Sequence, residues 1–209
     1  MLILPSWASG WVGPETFLLP GIRNRSLFIK EALKYFPDSQ VLMTDKGYMN
    51  EKAFIEWADF FTKKIRDIRG DRELWCLLVL YGYHSHTSSP KALQILNDNK
   101  ILLISLPSHS TNLLQVHDIA IFHPLKERFR SSLMNWMKDN GLSLKLENFR
   151  EILSPAWEAA NSSITIKNGF RSAGLWPLNK NWVYDNKDKL KFKTNSLSPL
   201  EKFEKSRRR

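Results

Sequence analysis

A single cysteine, Cys76, excludes any intramolecular disulfide, and that scarcity fits a reducing compartment. Cys76 sits inside the apolar run Leu74-Trp75-Cys76-Leu77-Leu78-Val79-Leu80 and reads as a core residue. No apolar stretch approaches the roughly 20 residues that a membrane-spanning helix needs. The opening Met1-Leu2-Ile3-Leu4-Pro5 lacks the charged and long apolar regions of a secretion signal. These absences lead to the expectation of a soluble, intracellular protein with no membrane partner. Internal repeats are missing, and no block outside the C-terminal tail is of low complexity. Negative charge is also scarce: 21 acidic residues face 31 lysines and arginines, a formal net charge of +10. Such a balance favours polyanionic partners at the level of encounter. Residues 180–209 hold ten basic and four acidic residues, so +6 of the +10 lies there and the remaining body is mildly basic.

What the chain does have is core-forming material: 43% of its 209 residues are hydrophobic and 12% aromatic. That supports one domain, residues 1–180, followed by a basic tail, residues 181–209, expected to be largely disordered. Short strands and helices alternate. Residues 15–19 and 41–43 are candidate strands, the first set off by Pro14 and Pro20-Gly21. Asn50 caps a helix from Glu51 to about Arg66, with Phe54, Trp57, Ala58, Phe61 and Ile65 on one face. The uninterrupted run 74–80 has the pattern of a strand buried on both faces. Ser89-Pro90 starts a helix ending near Asn99, and residues 101–106 form a second buried strand. Strand, helix and strand in this order form a crossover unit, which implies parallel neighbours. After a polar loop at 107–112, Pro124 opens another helix, and two or three short helices follow, broken at Ser154-Pro155.

Loops at the ends of parallel strands are where open α/β sheets place their sites. Two segments qualify: Tyr81-Gly82-Tyr83-His84-Ser85-His86, and Pro107-Ser108-His109-Ser110-Thr111-Asn112-Leu113-Leu114-Gln115-Val116-His117-Asp118. They resemble the DDE superfamily domain of pogo, Tigger and jerky-type transposases. That family has an apolar strand ending in Asp-Gly-His, and a later strand leading to Leu-Pro-Pro-His-Thr-Thr-His-Leu-Leu-Gln-Pro-Leu-Asp and a Phe-x-Pro-Leu-Lys helix start. The counterparts here are Leu77 to His86, Leu106 to Asp118, and Phe122-His123-Pro124-Leu125-Lys126. Further likeness lies at Lys46-Gly47-Tyr48-Met49-Asn50 with Phe54 and Trp57, and from Gly169 to Asn179, so it spans roughly residues 9–180.

The resemblance implies an α/β fold with a ribonuclease-H-like mixed sheet flanked by helices, incomplete at the N-terminus. It also implies three carboxylates holding two divalent metals, magnesium or manganese, about 3.5–4 Å apart for in-line attack on a phosphodiester. The chain departs from this pattern. Tyr81 stands at the family's second aspartate, and a phenol of reference pKa about 10 does not replace a bridging carboxylate at pH 7. The resemblance places the first aspartate on a strand expected before the start of this chain, and the family's N-terminal helix-turn-helix DNA-binding region is expected to be absent. Asp118 alone matches a catalytic position. The expectation is therefore a nuclear, transposon-derived protein without cutting activity, binding no cofactor and holding DNA weakly and without sequence preference.

Other readings stand beside it. Asp118 also fits a solvated acid or a helix-start partner. His84, His86, His109 and His117 offer imidazoles for zinc, although the family pattern already accounts for His86 and His109. Lys126, Arg128 and Arg130 suit phosphate contacts or a solvated helix face. Lys205, Arg207, Arg208 and Arg209 suit nucleic acid or nuclear import. Trp57, Phe61 and Trp136 read as core. A protein-interaction module is the rival functional class, and a genomic remnant without a selected role is a third.

Overall fold

Strand β2, Thr16–Pro20, is covered on both sides, and the fold is arranged around it. Thr16, Phe17 and Leu18 are almost wholly buried, and successive strand residues point to opposite faces, so Phe17 and Leu18 enter different cores. The computed structural model describes residues 1–21, 34–70, 72–81, 89–107, 110–145 and 148–186. The tail beyond 186, with Lys205, Arg207, Arg208 and Arg209, lies outside them. β2 pairs antiparallel with the two-residue β1, Leu2–Ile3, and parallel with β3, Gln40–Thr44, in the register Phe17 to Val41. Glu15 precedes the strand rather than opening it, while its carbonyl still accepts the Gln40 N–H at 2.8 Å.

Helix α1, Glu51–Arg69, closes one face. The Asn50 side chain accepts the Ala53 N–H at 2.9 Å, Glu51 sits in the first turn, and Arg66 and Arg69 sit in the last. The helix runs three residues past the expected Arg66 and stops at Gly70, whose N–H reaches the Arg66 carbonyl. Its inner face stacks: Phe54 and Trp57 rings lie 5.5 Å apart, and Trp57 and Phe61 4.8 Å apart, at interplanar angles of 15° and 13°. Each such buried ring contributes on the order of 1.5–3 kcal/mol through area removed from water. The same core takes Leu18 and Leu42 from the first sheet and Ala92, Leu96 and Ile101 from the crossover unit.

That unit is β4, Cys76–Tyr81, then α2, Pro90–Asp98, then β5, Ile101–Leu106. β4 and β5 pair parallel, as the crossover pattern implied. Ser89 caps α2, with Pro90 in its first turn. Two expectations need correction. Leu74 and Trp75 lie outside the strand and are 60% and 61% exposed. The strand pair is also buried on one face only: Cys76, Leu78, Leu80, Ile101 and Leu103 pack on α1 and α2, whereas Leu77, Leu102 and Ile104 are exposed. Both helices that cover the pair come from the same side, and nothing among the described residues covers the other. The described strands form a three-stranded and a two-stranded sheet instead of one mixed sheet.

Helix α3, Thr111–Leu114, and helix α4, Val116–Ala120, occupy what was expected to be loop and its sequel. Helix α5, Phe122–Asn140, begins two residues before Pro124. Helix α6, Phe149–Ala160, runs unbroken through Ser154-Pro155, contrary to the expected break. Pro155 is exposed, as is Glu151, whose carbonyl loses its helical donor and can meet water instead. Meanwhile Ile152, Leu153, Ala156, Trp157 and Ala160 are buried, and that apolar face holds the helix together across the proline. Helices α7, Ser163–Ser172, and α8, Trp182–Asp185, complete the described chain.

The second core joins α5 and α6 to the other side of β2. Trp157 Nε1 donates to Glu15 Oε1 at 2.6 Å in a buried site. Burial raises the Glu15 carboxyl above its ordinary range, opposed by hydrogen bonds and by the Arg150 charge. Arg150 is fully buried, with its guanidinium 3.7 Å from the centre of the Phe17 ring. Burial lowers its pKa to about 10, so it stays cationic at neutral pH.

Replacing Pro155 with alanine restores one helical hydrogen bond at an exposed position and is expected to stabilise the protein by about 1–3 kcal/mol. A raised urea midpoint checks this, and an unchanged or lowered one refutes it. Trp157→Phe keeps a smaller aromatic ring and deletes the donor to Glu15, with an expected loss of about 1–3 kcal/mol in the same measurement.

Candidate functional site at the ends of the parallel strands

The register of β4 against β5 sets Tyr81 opposite Leu106, so both strands end level at their C-terminal edge. From Leu106 the chain passes Pro107, whose carbonyl accepts the Ser110 hydroxyl at 2.7 Å, and turns into α3 and α4. Leu113, Val116 and Ile121 anchor this turn in the interior. Helix α4 has only five residues, far below the length at which a helix holds itself in water, so tertiary packing sets its position. Helix α7 supplies that packing at Gly169. A Cβ on Gly169 would lie 2.9 Å from both Ala120 Cβ and Val116 Cγ1, so glycine allows the two helices to approach closely.

Asp118 occupies the first turn of α4 and is half-buried. Burial raises its carboxyl pKa, and the positive charge of Lys126 opposes the rise. Its neighbour His117 turns inward. The Nε2 atom is buried and meets no hydrogen-bonding group among the described residues, and the ring lies 5.7 Å from that of Phe122. Burial depresses its pKa to about 4, so the imidazole is neutral at physiological pH. The DDE pattern that the sequence resembles has leucine at this place.

Tyr81 closes β4, and the chain after it, with His84 and His86, lies outside the described residues, as does His109. Of the four histidines considered for zinc, the described structure includes His117 alone, and it faces the interior. Among the described residues no group of three or more histidine, cysteine, aspartate or glutamate side chains stands together in a way that could hold a metal ion. Lys126, Arg128 and Arg130 are exposed on α5 but do not form one patch. Lys126 and Arg130 lie about 40° apart around the helix, with Arg128 on the opposite side. Arg130 is paired with Glu127 at 2.6 Å in solvent. Reading the residues alone missed the inward turn of His117 and the close approach at Gly169. A histidine inside the pattern of an apolar turn was the available signal for the first.

Residues 29–170 match the model of the DDE superfamily endonuclease family, and the chain belongs to that family. It is a pogo-type, transposase-derived domain. Among curated proteins it is similar to the pogo transposable element with KRAB domain of Mus musculus, 26% identical over 62% of this chain and 22% of that protein. The Homo sapiens counterpart gives the same identity and coverage. A protein of Cochliobolus lunatus named MFS-type transporter clz9 is 26% identical over 87% of this chain and 19% of its own length. The chain therefore spans about a fifth of the length of these relatives. Among the described residues no helix is long and apolar enough to cross a membrane. No solved structure matches.

The buried imidazole has a stability consequence. The unfolded chain takes up the His117 proton as pH falls below 6.5, whereas the native state declines it until about 4. Stability from this group is thus complete above the unfolded value and is lost progressively as pH falls through that window. His117→Leu is expected to flatten this part of the pH profile and to add about 1–3 kcal/mol by removing a buried polar atom without a partner. Urea unfolding at a series of pH values checks both; an unchanged slope refutes the buried, neutral assignment.

Proposed function

We propose that this chain is a DDE domain that has lost strand cleavage and retains weak, salt-sensitive, sequence-independent contact with DNA in the nucleus. The observation carrying this reading is Tyr81 at the C-terminal end of β4, level with the segment that leads to Asp118. In the family pattern that strand end holds an aspartate. Two hard dications need several anionic oxygens, both as ligands and to offset charge. A neutral phenol and one carboxylate, its own ionisation opposed by burial, do not fit that demand. The scaffold we infer is ribonuclease-H-like, with residues 1–180 as the domain. The chain's +10 charge supports encounter with a polyanion, and Lys126 and Arg130 on one side of α5 suit phosphates.

A second reading, a protein-interaction module, is favoured by the exposed outer face of the β4 and β5 pair at Leu77, Leu102 and Ile104. Counterion release separates the two readings: phosphate-driven binding falls steeply with salt, whereas apolar binding to a protein survives it.

The test is nicking of supercoiled plasmid in magnesium and in manganese by wild type, Asp118→Ala and Tyr81→Asp in equally folded preparations. No nicking by wild type is expected. Wild-type nicking that disappears in Asp118→Ala would refute the loss of cleavage.

A further inference from the structure

Helix α7 ends in a loop tied down by its own backbone. Leu175 and Trp176 N–H groups both reach the Phe170 carbonyl, at 3.1 and 3.3 Å, and the Asn179 N–H reaches Gly174 O at 2.9 Å. Leu175 and Leu178 bridge across the loop. Gly174 has a φ of +66°, and a Cβ there would lie 2.5 Å from that of Trp182, so the Trp182 side chain packs directly on the glycine. A segment held this firmly nevertheless directs large apolar groups into solvent: Trp176 is 62% exposed, Leu178 69% and Tyr184 61%. One exposed aromatic residue needs no explanation. Here two rings and a leucine stand out within nine residues of a constrained segment.

The sequence around them carries mainly positive charge. Between residues 163 and 186 the exposed cations Lys167, Arg171 and Lys180 face a single acid, Asp185. The chain after 186 continues the excess, as the sequence places most of the tail's lysines and arginines there. Rigid exposed rings beside cations are the elements that bind single-stranded nucleic acid: unstacked bases lie on the rings while phosphates meet the cations. A duplex hides its base faces and gains from the cations alone. The platform also adjoins the candidate site's own support, because Gly169, which contacts α4, lies in the last turn of α7, five residues before Gly174.

We propose that the loop 174–179, with Tyr184, is a binding platform for single-stranded nucleic acid, in which Trp176 and Tyr184 stack bases and Arg171 and Lys180 contact phosphates. The proposal rests on the polyanion-binding reading and narrows it to one strand state and one place. It assigns aromatic contacts the strand preference and basic residues the salt dependence.

The test uses the full chain and fluorescence anisotropy with labelled oligothymidylate and with a duplex, each about 20 nucleotides long, across a salt series. Wild type is expected to bind the single strand more tightly. The double variant Trp176→Ala with Tyr184→Ala is expected to weaken single-strand binding about tenfold or more, leaving duplex affinity and salt slope unchanged. The phenylalanine pair, Trp176→Phe with Tyr184→Phe, retains stacking faces and is expected to keep the preference. Should the alanine variant fail to fold, ultraviolet crosslinking of wild type to oligothymidylate decides, with adducts expected on Trp176 or Tyr184. Adducts only elsewhere, equal losses on both strand forms, or no loss in a folded variant would overturn the proposal. Binding of neither probe at low salt would overturn the polyanion reading as well; duplex binding without single-strand preference would overturn the platform alone.

Discussion

The stacked row of Phe54, Trp57 and Phe61 on one face of α1 is the contact on which the rest depends. Among the described residues the two sheets share no ladder, and it is this row that gives them a common interior. Leu18 and Leu42 approach it from the three-stranded sheet, while Cys76, Leu78 and Leu80 approach from β4. Close-packed stacking at 4.8–5.5 Å leaves little freedom in how either sheet meets the helix. The level ends of β4 and β5 take their place from α1 through this core.

A second constraint acts through β2. Because Phe17 and Leu18 point in opposite directions, the strand is common to both cores, and α6 reaches it through the buried bond from Trp157 to Glu15. Arg150 against Phe17 adds a buried cation to that joint. Helix α4 has no such resources within its five residues. It is placed by Gly169 of α7, so the position of Asp118 is a tertiary property and not a local one.

Much of this was legible. The capped amphipathic pattern of α1, the Ser89-Pro90 start of α2 and the apolar runs of β4 and β5 all appear within a few residues of their expected bounds. Each is a short-range signal: a cap, a periodicity or a turn residue. The misreadings share a different cause. A continuous apolar run states that a strand is hydrophobic without stating how many faces are covered, so the exposed side of β4 and β5 was invisible. Pro155 reads as a break because propensity counts only its missing donor, whereas α6 is held by five buried apolar side chains.

The candidate site divides along the same line. From the sequence alone come the membership in the DDE superfamily, the places of Tyr81 and Asp118 within the motifs that resemble it, and the basic excess, because these depend on residue identity and order. Tertiary structure decides that His117 turns inward and stays neutral, and that Trp176 on its tied loop and Tyr184 in α8 face solvent. The physical reason is that burial and exposure are set by which partner lies across each face, and that partner is distant in the chain.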